Sequence, residues 1–139
     1  MDFFSQKQKV LPARRNLLAA FQKNIAVRFK DISLLDLAFH HRSFSNESAA
    51  SSLNNERLEF LGDAVLGMAA AGFLYERLCG HSEGELAKTK SVVVSEAILS
   101  EIALQIGINQ CLLLGRGEEL SGGRQKKALL ADALEAVIG

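Results

Sequence analysis

With 139 residues, 48% hydrophobic and 23% charged, the chain is long enough to bury roughly two-thirds of its unfolded surface as one globular domain. Sixteen basic residues balance sixteen acids, and a formally neutral domain has little net charge with which to grip nucleic acid tightly by itself. No apolar run is expected to span a bilayer and the start MDFFSQKQK has no secretory character, so the expectation is a cytoplasmic protein with no membrane partner.

Charge is uneven along the chain. Residues 1 to 30 hold seven cations against Asp2 alone, and residues 1–11 read as a basic lead-in to a domain over 12–139. The bland reading of those cations is a solvated helix face, with phosphate contact or an organellar targeting segment as alternatives. Pro12 suits a first helical turn, and Leu17, Leu18, Phe21 and Ile25 recur at helical spacing, which predicts a first helix over 12–28. Ser33 with Asp36 resembles a capping box for a short second helix carrying Leu34, Leu35, Leu37 and Phe39. The polar stretch 43–54 reads as a loop or frayed turn.

A long apolar helix follows from Asn55 to Leu78, capped by Asn54 or Asn55 and ended by Gly80. Ser82 with Glu85 forms a capping box for the next helix, and Ser95 opens another that Gly107 closes. Residues 115–125, GRGEELSGGRQ, read as a glycine-rich loop without the GK[ST] ending of a P-loop. The last helix starts near Lys126 and includes ALLADALEAVIG. It stops without a polar cap or a basic last turn, so the chain is expected to be cut inside or just beyond a helix. Strand alternation and internal repeats are both missing, and the fold class is all-α. Cys79 and Cys111 read as buried reduced thiols.

The long helix carries two acids at i and i+4, Glu59 and Asp63, with no Lys or Arg between Leu58 and Leu74 to neutralise them. Glu56 shares their stripe, although a first-turn acid also complements the helix dipole. Asp132 and Glu135 repeat the device at i and i+3 in the last helix. One such pair alone is most often a solvated face. Two pairs, each flanked by apolar residues, instead predict that the helices pack together and that four carboxylates converge on a hard cation, Mg²⁺ or Mn²⁺. His40 and His41 point in different directions on a helix and are better suited to packing or backbone hydrogen bonds than to catalysis.

The block NERLEFLGDAVL, Asn55 to Leu66, resembles the signature of the ribonuclease III catalytic domain. HRS at 41–43 with Asn46-Glu47, EGEL at 83–86, RGEE at 116–119, GGR at 122–124 and ADALEAVIG at 131–139 resemble the family's other blocks, in order. The resemblance implies a divalent-metal-dependent endonuclease that cuts double-stranded RNA to 5′-phosphate and 3′-hydroxyl ends, in ribosomal and messenger precursor processing. It also implies a helical endonuclease domain without its double-stranded-RNA-binding domain, and no small-molecule cofactor. By position Glu59, Asp63, Asp132 and Glu135 match the metal-binding acids, with Asp63 and Glu135 catalytic and Glu56 and Glu83 accessory. Phe60 matches a residue that inserts into the partner of a homodimer. Two other readings stay open: an inert RNA-holding homologue, and an all-α nucleotide pyrophosphohydrolase, for which Glu56-x-x-Glu59 fits superficially.

Overall fold

Pro12 starts the first helix as its spacing predicts, and the described residues after it form further helices, short and long, up to Ile138. The computed structural model describes residues 10–47 and 53–139, so most of the basic lead-in, residues 1–9, lies outside the described residues, as do positions 48–52 of the expected loop. The helices are α1 (Pro12–Asn24), α2 (Ile32–Ala38), α3 (Arg42–Glu47), α4 (Glu56–Arg77), α5 (Glu83–Val93), α6 (Glu96–Gln105), α7 (Ile108–Cys111), α8 (Arg116–Leu120) and α9 (Lys127–Ile138), with a 3-10 turn at Gly123–Gln125. Among the described residues the only extended pairing is an isolated parallel bridge between His40 and Leu113. The all-α expectation holds.

Several boundaries differ from the sequence expectation, each for a local reason. Helix α1 stops at Asn24 instead of near 28 because Ala26 adopts a positive φ of 54°, which no helix interior tolerates. Asp31, not Ser33, caps α2: its Oδ1 accepts from the Ser33 and Leu34 amides. Helix α3 lies where a loop was expected, and its start is held by the Ser43 amide donating to His41 Nδ1 at 3.3 Å. Helix α4 ends at Arg77, ahead of Gly80, with Leu78 as its C-cap. The expected 115–125 loop instead contains α8 and the 3-10 turn. The Ser82–Glu85 capping box is present in full, and Gly107, at φ 83°, closes α6.

Helix α9 is the central strut, packed between α4 and α6. Leu130 and Leu134 of α9 join Leu18, Phe21, Leu35, Phe39, Leu99 and Ile108 in one buried cluster, where Phe21 meets Phe39 edge-on at 5.2 Å. The α4–α9 crossing turns on Gly62, since a Cβ there would collide with the Glu135 carbonyl oxygen. Only a glycine lets the two backbones touch at that point. Arg14, expected on a solvated face, is instead mostly buried: its Nε donates to Asp36 Oδ1 at 2.6 Å, and His40 Nε2 lies 3.3 Å from the other carboxylate oxygen. Of the cysteines expected to be buried, Cys111 is and Cys79 is exposed.

The apolar residues of α4 do not fill the core as their sequence context suggests. Phe60 is 81% exposed, Met68 72% and Tyr75 75%, while Gly62 and Leu74 are the buried residues of the helix. Contrary to expectation, α4 is also long and apolar enough to cross a bilayer by length and composition alone. A helix apolar all round needs cover on all sides, and one chain covers only the side facing α9 and α5.

Candidate metal centre

The Gly62 contact fixes the geometry of the acids, because Glu59 and Asp63 flank it on α4 and its partner atom belongs to Glu135 of α9. Carboxylate oxygens of Glu59, Asp132 and Glu135 lie within 4.8 Å of one another, and all three residues are half-buried. Among the described residues none of the three forms an ion pair with Lys or Arg. Asp63 is exposed and stands outside this trio, but close enough for its charge to act on Glu59 and Glu135. Glu56, one turn before Glu59, is exposed and adds its charge to Glu59 from the rim. Glu83 is exposed in the first turn of α5 and does not belong to the group.

Electrostatics records the strain of this arrangement. Burial pushes the Glu135 carboxyl up, and the charges of Asp63, Asp132 and Glu59 push it further, to about 7. Glu59 is raised by burial and then by Asp132, Glu56 and Asp63. Asp132 is raised by burial and by Glu96, and Arg42 opposes the shift. Three oxygen donors at this spacing, short of counter-charge, suit a hard divalent cation, which would relieve repulsion that protons otherwise relieve.

Two residues near the acids were not singled out from sequence. Glu96 is the first-turn acid of α6 behind the Ser95 cap, where the helix dipole alone accounts for an acid. Arg42 opens α3 within the HRS block and supplies positive charge on the Asp132 side. Their spacing from the other acids along the chain gives no signal, since only the packing of α3, α6 and α9 makes them neighbours. His40 is buried, packs edge-on against Phe44 and meets Asp36, and His41 Nδ1 accepts from the Ser43 backbone amide beside the Ser43 hydroxyl, so packing and backbone hydrogen bonding are their uses, as expected.

Comparisons with known proteins bear on the family and the fold. A family model described as ribonuclease-III-like matches residues 31–139. The chain is 59% identical over 136 residues to ribonuclease 3 of Treponema denticola, covering 98% of this chain and 55% of the relative. It is 53% identical over 139 residues to ribonuclease 3 of Treponema pallidum, covering 99% and 55%. The chain thus spans about half the length of the curated relatives it matches. Among solved structures, the nuclease domain of ribonuclease III from Campylobacter jejuni superposes with a TM-score of 0.79 at 37% identity, covering 86% of this chain and 78% of that one. A second structure of that nuclease domain, described for flexibility in a region involved in dimer formation, gives a TM-score of 0.78 at 38% identity, covering 84% and 78%. With its helical fold, its ordered sequence blocks and these matches, the chain belongs to the ribonuclease-III-like family.

Proposed function

We propose that the chain is the nuclease part of a metal-dependent endoribonuclease that hydrolyses phosphodiesters of double-stranded RNA to 5′-phosphate and 3′-hydroxyl ends. The observation that carries this reading is the meeting of Glu59 with Asp132 and Glu135 within 4.8 Å, from helices far apart in sequence. Mg²⁺, or Mn²⁺ in its place, would supply the positive charge for activating water and for stabilising the departing 3′ oxygen. Glu59, Asp132 and Glu135 would hold it, and Asp63 at the edge adds negative charge to the same side. Glu135, its carboxyl pushed up to about 7 by burial and by its acidic neighbours, is partly protonated near neutral pH, and a bound cation would compete with that proton. Glu56 would serve as an outlying acid at the rim, whereas Glu83, on α5, stands apart from the group.

The exposed apolar face of α4 around Phe60 supports a homodimer, because a two-fold pair would cover it and present equivalent sites to the two strands of a duplex. A cytoplasmic enzyme acting on ribosomal and messenger precursors is the setting we infer. The test is incubation of the full-length protein with duplex RNA and Mg²⁺. Scission that Glu135→Gln lowers by at least about 100-fold is the expected result. RNA retention without cutting would favour the inert homologue, and release of pyrophosphate from a nucleoside triphosphate would overturn the reading.

A further inference from the structure

His41 is used by neither the core nor the acid trio, yet its imidazole is fixed with unusual completeness. The Ser43 amide donates to His41 Nδ1 at 3.3 Å, and a backbone N–H can only donate, so Nδ1 is an acceptor and carries no proton. The Ser43 hydroxyl lies 2.8 Å from the same nitrogen, and its oxygen already accepts from the Gly115 amide at 2.9 Å. The relay therefore runs from Gly115 N–H to Ser43 O–H to His41 Nδ1. Neutral His41 must carry its proton on Nε2, and no partner for that N–H occurs among the described residues.

The placement of His41 matters as much as its tautomer. Its amide donates to the Leu113 carbonyl at 3.1 Å, and the neighbouring His40 carbonyl accepts from the amide of Asn55, the N-cap of α4, at 2.9 Å. His41 thus sits where α3, the start of α4 and the approach to α8 meet. Glu56 opens α4 there, and Glu59 of the acid trio follows after about 4.5 Å of helix rise. The charges that act on His41 are Glu118, Arg42, Glu56 and Lys126, two acids and two bases. Burial lowers its basicity, with Glu118 opposing, which agrees with a neutral ring.

That environment selects its ligand. A single neutral N–H between two acids and two bases, one pair of them the Lys126–Glu118 ion pair at 2.6 Å, gives a phosphate no net attraction. A hydroxyl suits both sides, because it accepts from an imidazole N–H and donates to a carboxylate. On a nucleic acid the group with that chemistry is the ribose 2′-hydroxyl. We propose that His41 reads RNA as RNA: its Nε2–H, left as the one free donor by the Ser43–Gly115 relay, donates to a 2′-hydroxyl of the strand crossing the start of α4. This rests on the nuclease reading above and adds to it a residue that separates ribose from deoxyribose.

The experiment compares cutting of an all-ribose duplex with duplexes carrying single 2′-deoxy substitutions around the cut, by the full-length protein and two variants. His41→Asn keeps an acceptor for Ser43 but lacks the Nε2 donor, and His41→Gln places an amide N–H where Nε2 stood. For the unmodified protein, one deoxy position is expected to slow cutting about three- to tenfold, the scale of one hydrogen bond. His41→Asn is expected to cut the all-ribose duplex slower by the same factor and to lose nothing more at that position. His41→Gln keeps the discrimination. Nitrogen NMR of the free protein is expected to show the Nε2–H tautomer, a readout independent of cutting.

Equal sensitivity to the deoxy position in His41→Asn and the unmodified protein would overturn the proposal, as would an Nδ1–H tautomer. So would a His41→Asn defect that persists on the deoxy duplex and vanishes on a methylphosphonate one, which would make phosphate the ligand. In each of these cases the nuclease reading survives. Failure of the unmodified protein to cut any duplex would overturn both.

Discussion

Glu135 is the residue at which burial and charge conflict most. Its folded-state pKa of about 7 lies above the ordinary value near 4.3, so between those limits the folded state binds more protons than the unfolded one. Stability without divalent cation should therefore fall as pH rises from about 4.3 through about 7, and Mg²⁺ should restore it at the high end. Thermal melting at about pH 5 and about pH 8, with and without Mg²⁺, checks the sign, and Glu135→Gln should flatten much of the pH trend. Asp36 behaves oppositely. Burial raises its carboxyl, but hydrogen bonds from His40 and Arg14 outweigh that and hold it below the usual range. Its stabilisation is present above the ordinary aspartate pKa and lost as pH falls through the depressed folded value. Asp36→Ala would strand Arg14 in a mostly buried site and should cost about 3–5 kcal/mol, measured by urea unfolding.

At the scale of elements, the α4–α9 crossing determines whether the acids can meet at all. Glu59 and Asp63 stand at i and i+4 and Asp132 and Glu135 at i and i+3, which keeps each pair on one side of its own helix. The approach of the two helices is set by Gly62 against the Glu135 carbonyl. Gly62→Ala should force the helices apart, destabilise the fold by about 1–3 kcal/mol or more, and weaken Mg²⁺ binding beyond what the lost stability accounts for. Calorimetry with Mg²⁺ at a temperature where the variant is folded separates the two effects. The other helix ends show how local chemistry competes. The Ser82–Glu85 box acts as its spacing predicts, whereas Ser33 yields the cap of α2 to Asp31 and Asp36 turns inward to Arg14.

For the whole molecule, the open question of packing is the outer face of α4. Phe60, Met68, Phe73 and Tyr75 are all more than half exposed, an apolar surface that a single chain leaves uncovered. Glu59 and Asp63 in the first half of α4 would be costly inside a bilayer, and Glu59 lies beside Asp132 and Glu135 of α9. Self-association is the reading that also serves the proposed duplex substrate. Phe60→Asp should weaken the dimer by at least about 2 kcal/mol, roughly 30-fold in dissociation constant, as read by sedimentation. The neutral overall charge gives this chain little net attraction for phosphate.

Helical periodicity, capping residues and two acid pairs on apolar helices are properties of neighbouring residues, so they were legible in the chain itself, as was membership of the family from its ordered blocks. Loop versus short helix at 42–47 and 116–120 was not, because those turns are held by partners distant in sequence: the Arg116 amide donates to Glu47 Oε2, and the Gly115 amide to Ser43 Oγ. The same reason hid Glu96 and Arg42, and turned Arg14 inward to Asp36. Which acids form the trio, that α4 keeps its apolar face outside, and which nitrogen of His41 is free all depend on how helices cross. Those crossings are set by contacts such as Gly62 on Glu135 that sequence spacing does not encode.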